Sequence, residues 1–261
     1  MKSKNYLDRN KGNIMSINIV ITMAGRGSRF YEAGYTTPKY EIMAHDRSLF
    51  EWSMLSLKNF FTPDCKVIFV CLRENKSSEF VLHHTNALGL KDVHIVEVEE
   101  LTDGQATSAY LSREFWNPDW PLLVYNIDTY VKPHALTPAD IRTGSDGWVP
   151  CFKVPGDHWS FVKLGEDGWA VDLAEKQRIS DYASIGLYWF GNAGQYVDLY
   201  DRFFSEPLNL VRGEKYIAPL YRQLLIEGGK VSLSDLQLSD VHVLGTPAEL
   251  KQFLQLPANK L

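Results

Sequence analysis

The chain has 261 residues, of which 45% are hydrophobic, and a formal net charge of −5 at pH 7. This size allows one α/β domain with a substantial core, and the negative charge excludes a basic surface for a nucleic-acid backbone. Three cysteines without a CxxC pair exclude a cysteine-rich zinc site and indicate thiols in a reducing compartment. No apolar run is long enough to cross a bilayer. We therefore expect a cytoplasmic protein without nucleic-acid or membrane partners, either alone or as a homodimer.

The chain divides into a leader, one domain and a tail. Residues 1–16 are polar with little to bury, which predicts a mobile leader. Residues 17–255 carry the strand and helix patterns of a single folded domain, and residues 256–261 form a short tail.

The first predicted strand leads into a glycine-containing loop. The stretch from Ile17 to Phe30 opens with an apolar, β-branched run, which predicts a buried strand. It is followed by small residues that let backbone amides approach an anion closely: Ala24, Gly25 and Gly27. Positive charge lies within reach of the same loop, at Arg26, Arg29 and Lys39. The combination favours a polyphosphate site, with an ordinary tight turn as the alternative.

This loop differs from the two best-known phosphate-binding loops. A Rossmann fingerprint has a third glycine at the position where this chain has Phe30. A Walker A loop ends in Gly-Lys-Ser/Thr, which does not occur here. A different kind of nucleotide site is therefore expected.

Strand and helix patterns then alternate. Apolar residues at helical spacing predict a helix over Ser48–Leu57, and the next buried strand is Lys66–Leu72. A second helix over 77–88 and a strand over Val93–Val98 repeat the unit. Such alternation predicts a sheet with a parallel core that is covered by helices on both faces.

Two polar features come at the ends of later strands. Gly104 lies in a turn before a predicted helix, for which Thr102 or Asp103 is a candidate N-cap. A buried strand is predicted over Pro121–Val131, and Asp128 follows its apolar part. An Asp at the carboxyl end of a central strand can hold Mg²⁺, although a lone Asp there more often caps the next turn.

Four segments together resemble the signatures of the sugar-1-phosphate nucleotidyltransferase superfamily, in that superfamily's order. They are Ala24-Gly25-x-Gly27-Ser28-Arg29 with Pro38-Lys39, the strand that ends at Asp128, Glu175-Lys176 with the following Ala183-x-x-Gly186-Leu187-Tyr188, and Gly245-Thr246-Pro247. The resemblance implies a three-layer, Rossmann-like α/β fold with a mostly parallel mixed central sheet. It also implies a hairpin subdomain on the acceptor side, within the turn-rich stretch 144–168.

The resemblance further implies the roles of individual residues. An NTP would lie on Met23, Ala24, Gly25, Arg26, Gly27 and Ser28, with its base near Glu99, Gly104, Gln105 and Ala106. The catalytic residues would be Arg29, Lys39 and Asp128, with Asp128 also holding Mg²⁺. The acceptor would be bound by Glu175, Lys176 and Gly186. A carboxylate at Glu99 or Glu100 can accept a hydrogen bond from the cytosine amine, which favours CTP.

The chain departs from the superfamily's pattern at three places. Ile127 stands where glycine usually precedes the acid, and Gln177 stands where proline usually follows Glu-Lys. Val243 stands where many relatives carry a second metal-binding Asp, so Asp240 or Asp235 would have to replace it.

The predicted function is Mg²⁺-dependent transfer of NMP from an NTP to a small phosphorylated acceptor of the sugar 1-phosphate type, with release of pyrophosphate. The resemblance places the product in the synthesis of capsule or surface polysaccharide. Two alternatives remain: a cytidylyltransferase whose acceptor is a phospho-amino alcohol or a phosphorylated amino acid such as phosphoglutamine, and a nucleotide-binding domain without catalysis. A glycosyltransferase is disfavoured because Asp128-Thr129-Tyr130 lacks the second acid of an Asp-x-Asp motif.

Overall fold

The computed structural model describes residues 16–206, 209–257 and 260–261. The predicted leader lies outside the described residues except for Ser16. The strands in chain order are β1 (Ile17–Met23), β2 (Met43–Ala44), β3 (Arg47–Ser48), β4 (Cys65–Leu72), β5 (Asp92–Val98), β6 (Leu122–Asn126), β7 (Thr129–Val131), β8 (Gly147–Lys153), β9 (Ser160–Leu164), β10 (Ala170–Glu175), β11 (Tyr182–Ser184), β12 (Leu187–Phe190), β13 (Val231–Leu236) and β14 (Val241–Val243). The helices are α1 (Ser28–Glu32), α2 (Leu49–Ser56), α3 (Ser78–Ala87), α4 (Gln105–Tyr110), α5 (Ala193–Phe203), α6 (Ala218–Ile226) and α7 (Pro247–Leu254).

A mixed sheet forms the middle layer of the protein. Its strands β6, β1, β4 and β5 are neighbours in that order and run parallel. Strand β12 joins β6 in the antiparallel direction, β8 pairs with β12, and β13 pairs with β8 in parallel. The predicted mostly parallel mixed sheet is confirmed. The carboxyl ends of β1 and β6 therefore lie side by side at one edge of the sheet.

An antiparallel arm extends from this sheet. Strands β9 and β10 form a hairpin, and β11 connects the hairpin to β8. The stretch predicted as a hairpin, 144–168, thus supplies β8 to the main sheet and only β9 to the hairpin.

Both faces of the sheet are buried, as the apolar character of β1 predicts. Ile21 of β1 belongs to one core cluster with Phe50 of α2. Val20, which points to the other face, belongs to a second cluster with Ala106 of α4 and Leu220 of α6. Burial of a valine, leucine, isoleucine or phenylalanine side chain stabilises the folded state by about 2 kcal/mol. The result is three layers, with helices on either side of the sheet.

The predicted boundaries of the first elements agree with the structure to within one residue. Helix α2, for example, begins at Leu49 because Ser48 and Glu51 form a capping box at its start. No helix of the described part of the chain is long and apolar enough to span a membrane.

Two predicted elements were wrong in extent. The single strand over Pro121–Val131 is broken at Ile127 and Asp128, because the chain leaves β6 and β7 pairs with β14 instead. The second is the segment Glu214–Leu225, whose amphipathic pattern predicts one continuous helix. The helix begins only at Ala218, where Pro219 favours the first turn of a helix. The residues just before it are held in an extended path by bonds to another loop, which is described below.

Candidate active site

The loop after β1 lies at the centre of the sheet edge. Gly27 caps α1 with a left-handed backbone conformation, φ 64°. Gly25 and Arg26 of this loop are exposed, whereas Ala24 is buried. The arrangement leaves the loop open to a ligand above the carboxyl ends of β1 and β6.

Two guanidinium groups beside the loop have no partner among the residues that the structure describes. Arg26 and Arg29 are both exposed, and neither makes a hydrogen bond or ion pair with another described residue. Arg26 also lines a groove of about 470 Å³ together with Ser28, Tyr31, Glu32, Glu74 and Asn75. The positive charges of Arg26 and Arg29 are therefore available to an anionic ligand.

A third cation near the loop is already paired. The stem of Lys39 passes beside Gly27, where an added Cβ would lie 3.5 Å from the Lys39 Cβ. Its ammonium donates to Asp128 Oδ2 at 2.6 Å, and the two side chains are only 16% and 22% exposed. The structure therefore brings together the loop, Lys39 and the acid at the end of β6, which are remote in sequence.

The closing Gly-Thr-Pro segment lies against the same acid. The Leu244 amide donates to the Asp128 carbonyl oxygen at 2.8 Å. A Cβ on Gly245 would lie 3.3 Å from Asp128 Oδ2 and 3.7 Å from Glu249 Oε2. Glu249 of α7 thus lies near Asp128, a proximity that its sequence position does not reveal.

The turn at Gly104 lies next to the carboxyl end of β1. Gln105 Nε2 donates to Thr22 Oγ1 at 3.1 Å, which ties the turn to the end of β1. The expected N-cap at Thr102 or Asp103 was wrong, because Gly104 itself is the N-cap and has no side chain to accept a bond. It adopts φ 140°, and an added Cβ would overlap the Lys215 carbonyl oxygen.

Glu99, an acidic residue before this turn, is already paired with an arginine. Glu99 is exposed and forms an ion pair with Arg73, which follows β4 and also contacts Glu97 at 3.4 Å. A base that used the Glu99 carboxylate would therefore compete with the Arg73 guanidinium.

The Glu175-Lys176 pair lies at the end of β10 in the antiparallel arm. Glu175 accepts a hydrogen bond from Ser160 Oγ, which also contacts the Tyr188 hydroxyl at 2.8 Å. Burial raises the pKa of Glu175, and the Ser160 bond offsets only part of that shift. Lys176 has a left-handed backbone, φ 52°, and its ammonium donates to the Tyr216 hydroxyl.

Gly186 joins the two halves of the site. Its carbonyl accepts from the Asn126 amide at 3.3 Å, and its φ of 83° requires glycine. A Cβ here would overlap the Asn126 side chain. The chain after Gly186 enters β12, which pairs with β6, so Gly186 lies next to the end of β6.

Comparison with known proteins identifies the family. No protein-family model and no curated protein sequence matches the chain. A nucleoside-diphosphate-sugar pyrophosphorylase from Vibrio cholerae RC9 superposes with a TM-score of 0.85 at 34% identity, over 91% of this chain and 100% of that chain. The chain belongs to the sugar-1-phosphate nucleotidyltransferase superfamily.

Two more distant structures share the fold of this nucleotidyltransferase. The inositol-1-phosphate CTP transferase from T. maritima has a TM-score of 0.74 at 17% identity, over 93% of this chain and 96% of that chain. A putative glucose-1-phosphate thymidylyltransferase from Bacillus anthracis, solved with sucrose, has a TM-score of 0.72 at 16% identity, over 92% and 94%. The predicted superfamily and α/β fold are confirmed.

The second metal ligand expected of the nucleotidyltransferase is not supplied by either proposed replacement. Asp240 pairs with Lys132 and His134 at the far end of β14 from Asp128. Asp235 lies on β13, three strands from β6, and pairs with Lys153. Among the residues that the structure describes, no group of three or more His, Cys, Asp or Glu could hold a metal ion.

The partly buried carboxylate of Glu175 predicts a pH effect on the stability of the protein. Because its pKa is raised in the folded protein, the folded state favours the protonated form, and this contribution is lost as pH rises through the folded pKa. Glu175→Gln should therefore gain stability relative to the native protein as pH rises from 4.5 to 8. Melting temperatures across this range test it, with the exposed Glu206→Gln as the control. A constant difference between Glu175→Gln and the native protein would contradict the prediction.

Proposed function

We propose that this nucleotidyltransferase transfers NMP from an NTP to a phosphorylated acceptor of the sugar 1-phosphate type and releases pyrophosphate. The observation that supports it most strongly is the pair of guanidiniums of Arg26 and Arg29, which have no partner in the described part of the chain and lie beside the Lys39–Asp128 pair. A loop with open amides and surplus positive charge suits a triphosphate.

The reaction needs little covalent chemistry from the protein. An oxygen of the acceptor phosphate forms a bond to the α-phosphorus of the NTP. The bond between that phosphorus and the oxygen bridging to the β-phosphate breaks, and pyrophosphate leaves with the electron pair. The acceptor phosphate is already ionised near neutral pH, so no side chain has to be activated as the nucleophile. Positioning and charge stabilisation remain as the tasks of the protein.

The proposed division of labour follows the geometry. Arg29 and Lys39 offset charge on the triphosphate, and Lys176 binds the acceptor phosphate. Glu175 accepts hydrogen bonds from the acceptor. Gln105 and Gly104 lie where the nucleoside would rest, next to the end of β1.

The residues present fit a magnesium ion with few protein ligands. Asp128 offers a partly exposed carboxylate at the carboxyl end of β6, and Mg²⁺ commonly takes one or two carboxylates while phosphates and waters complete its shell. The ion would neutralise charge on the phosphate oxygens. The Lys39 ammonium occupies one oxygen of the Asp128 carboxylate, Oδ2, and would compete with the ion for its negative charge.

The base and the acceptor belong to the proposal as well. Glu99 supports CTP, because a carboxylate can accept from the cytosine amine if the nucleotide displaces Arg73. The relative named as a nucleoside-diphosphate-sugar pyrophosphorylase supports a sugar 1-phosphate as the acceptor. The proposed use of the product, in precursors of surface polysaccharide, follows from the resemblance to the superfamily. The three free, buried cysteines support a reducing compartment such as the cytoplasm.

Pyrophosphate release measures the proposed function directly. Each of CTP, UTP, dTTP, ATP and GTP is supplied with Mg²⁺ and one of a panel of acceptors, which includes sugar 1-phosphates, inositol phosphate, phosphocholine, phosphoethanolamine and phosphoglutamine. Acceptor-dependent release with a sugar 1-phosphate is expected. Release only with a non-sugar acceptor would favour the alternative cytidylyltransferase, and tight NTP binding without release would contradict catalysis.

A further inference from the structure

The segment Lys215–Tyr216 contacts both halves of the candidate site. The Lys215 amide donates to the Asp103 carbonyl at 2.6 Å, and the Ala106 amide donates to the Lys215 carbonyl at 3.1 Å. The Lys215 ammonium also pairs with Asp103 Oδ2 at 2.9 Å. Gly104 fits between these bonds only because it lacks a Cβ. The backbone N–H and the backbone carbonyl of Lys215 thus both hold the Gly104 turn, which lies on the proposed nucleotide side of the site.

The next residue holds the lysine of the acceptor side. The Tyr216 hydroxyl accepts a hydrogen bond from Lys176, and the Lys176 ammonium lies over the Tyr216 ring, 4.3 Å from its centroid. The ring and the hydroxyl therefore both attract the same ammonium. Lys176 makes no ion pair with a carboxylate among the described residues, so Tyr216 is the group that orients it.

The state of the Tyr216 hydroxyl suits this task. Burial and a hydrogen bond to Glu214 raise its pKa, so the hydroxyl keeps its proton near neutral pH. A neutral hydroxyl keeps its oxygen lone pairs available to accept from the Lys176 ammonium. Tyr216 is only half-buried, so its side chain is not a main component of the core.

We propose that Tyr216 is a positioning residue for Lys176 and that the Lys215–Tyr216 segment couples the Gly104 turn to the acceptor lysine. A nucleotide that orders the turn then also orders the ammonium that meets the acceptor phosphate. This inference rests on the proposed function, in which Lys176 binds that phosphate. By linkage, the acceptor must stabilise the bound nucleotide by the same factor.

Two variants of Tyr216 separate its ring from its hydroxyl. Tyr216→Phe removes the hydrogen bond to an ammonium and should raise the KM for the acceptor about 10-fold. Tyr216→Leu removes the ring as well and should raise it further, to about 100-fold. The Kd for the NTP in the absence of acceptor should stay within about 2-fold, since a small change in Kd is expected where no direct contact is lost.

A similar arrangement elsewhere provides the control. Lys153 lies over the Tyr182 ring, 5.0 Å from its centroid, and that pair lies outside the candidate site. Tyr182→Phe should leave both the acceptor KM and the NTP Kd unchanged. An unchanged acceptor KM in Tyr216→Leu, or an equal weakening of acceptor and NTP, would overturn the positioning role.

A second measurement does not depend on turnover. The side-chain NMR signal of Lys176, identified by its loss in Lys176→Arg, should show the ring-current shift of Tyr216. The shift should persist in Tyr216→Phe and vanish in Tyr216→Leu, and a signal that is the same in all three proteins would refute the contact. If this shift is found but the native protein releases no pyrophosphate, the proposed function fails while the Tyr216–Lys176 contact stands.

Discussion

Lys39→Ala is expected to lower turnover about 100-fold or more, the scale observed when one preorganised stabiliser of developing charge is removed. The reason is that Lys39 lies beside Gly27 of the loop and is only 16% exposed, so water replaces its charge poorly. Arg29→Ala should have a loss of the same order, because its guanidinium has no partner within the described chain and is free for the triphosphate. Steady-state pyrophosphate release measures both.

Paired cations outside the site serve as matched controls. Lys153 forms an ion pair with Asp235 at 2.8 Å, and Arg202 forms one with Glu227 at 2.9 Å. Lys153→Ala and Arg202→Ala remove the same charges from the surface and should leave turnover nearly unchanged. Near-native turnover in both Lys39→Ala and Arg29→Ala would remove these residues from the catalytic assignment.

Although Lys39→Ala should lower turnover, we expect the same substitution to strengthen the binding of Mg²⁺. The native protein keeps an ammonium 2.6 Å from Asp128 Oδ2, and this charge repels a divalent cation. Without the ammonium, the carboxylate is free, so Mg²⁺ alone should bind the nucleotide-free variant more tightly than the native protein. Calorimetric titration with Mg²⁺ measures this change, and weaker binding by the variant would contradict competition between the two cations.

Asp128→Asn is expected to abolish most turnover, again by about 100-fold or more, and to alter the dependence on Mg²⁺. The amide keeps the size of the side chain but loses the negative charge that attracts both Lys39 and a hard cation. Turnover measured over a range of Mg²⁺ concentrations at saturating NTP tests this. The carboxylate lies beside Gly245, and the carboxylate of the neighbouring acid Glu249 lies near the same glycine.

The control for Asp128→Asn is Asp235→Asn, which removes a paired carboxylate of the same type at the sheet edge. Its Mg²⁺ titration should match that of the native protein. An unaltered titration in Asp128→Asn would instead exclude Asp128 as a metal ligand, and comparable melting temperatures of the two variants would show that both are folded.

Local patterns predicted the parts of the fold that depend on neighbouring residues. The strand that begins at Ile17, the helical spacing over Ser48–Leu57 and the glycine-containing turn are properties of short segments, and each element was found where the sequence placed it. The superfamily followed from four such segments. The pairing of Lys39 with Asp128 is different in kind, because it depends on β1 and β6 becoming neighbours.

Features that depend on remote partners were missed. The break at Ile127 arises because β7 pairs with β14, and the late start of α6 accompanies the bonds of Lys215 to the Gly104 turn. The proximity of Glu249 to Asp128 likewise requires α7 to be in place. Periodicity and capping signals contain no information about such contacts, so they become visible only in the assembled structure.

The pairing of β7 with β14 has a consequence for synthesis on the ribosome. The strand that follows Asp128 acquires its partner only when Val241–Val243 has emerged, and α7 then packs its Leu250 and Phe253 against Phe30 of α1. Because loop closure over so long a stretch is slow, nascent chains halted before this point should lack a finished catalytic edge. Protease resistance of ribosome-bound intermediates would rise only after β14 has left the ribosome and paired with β7.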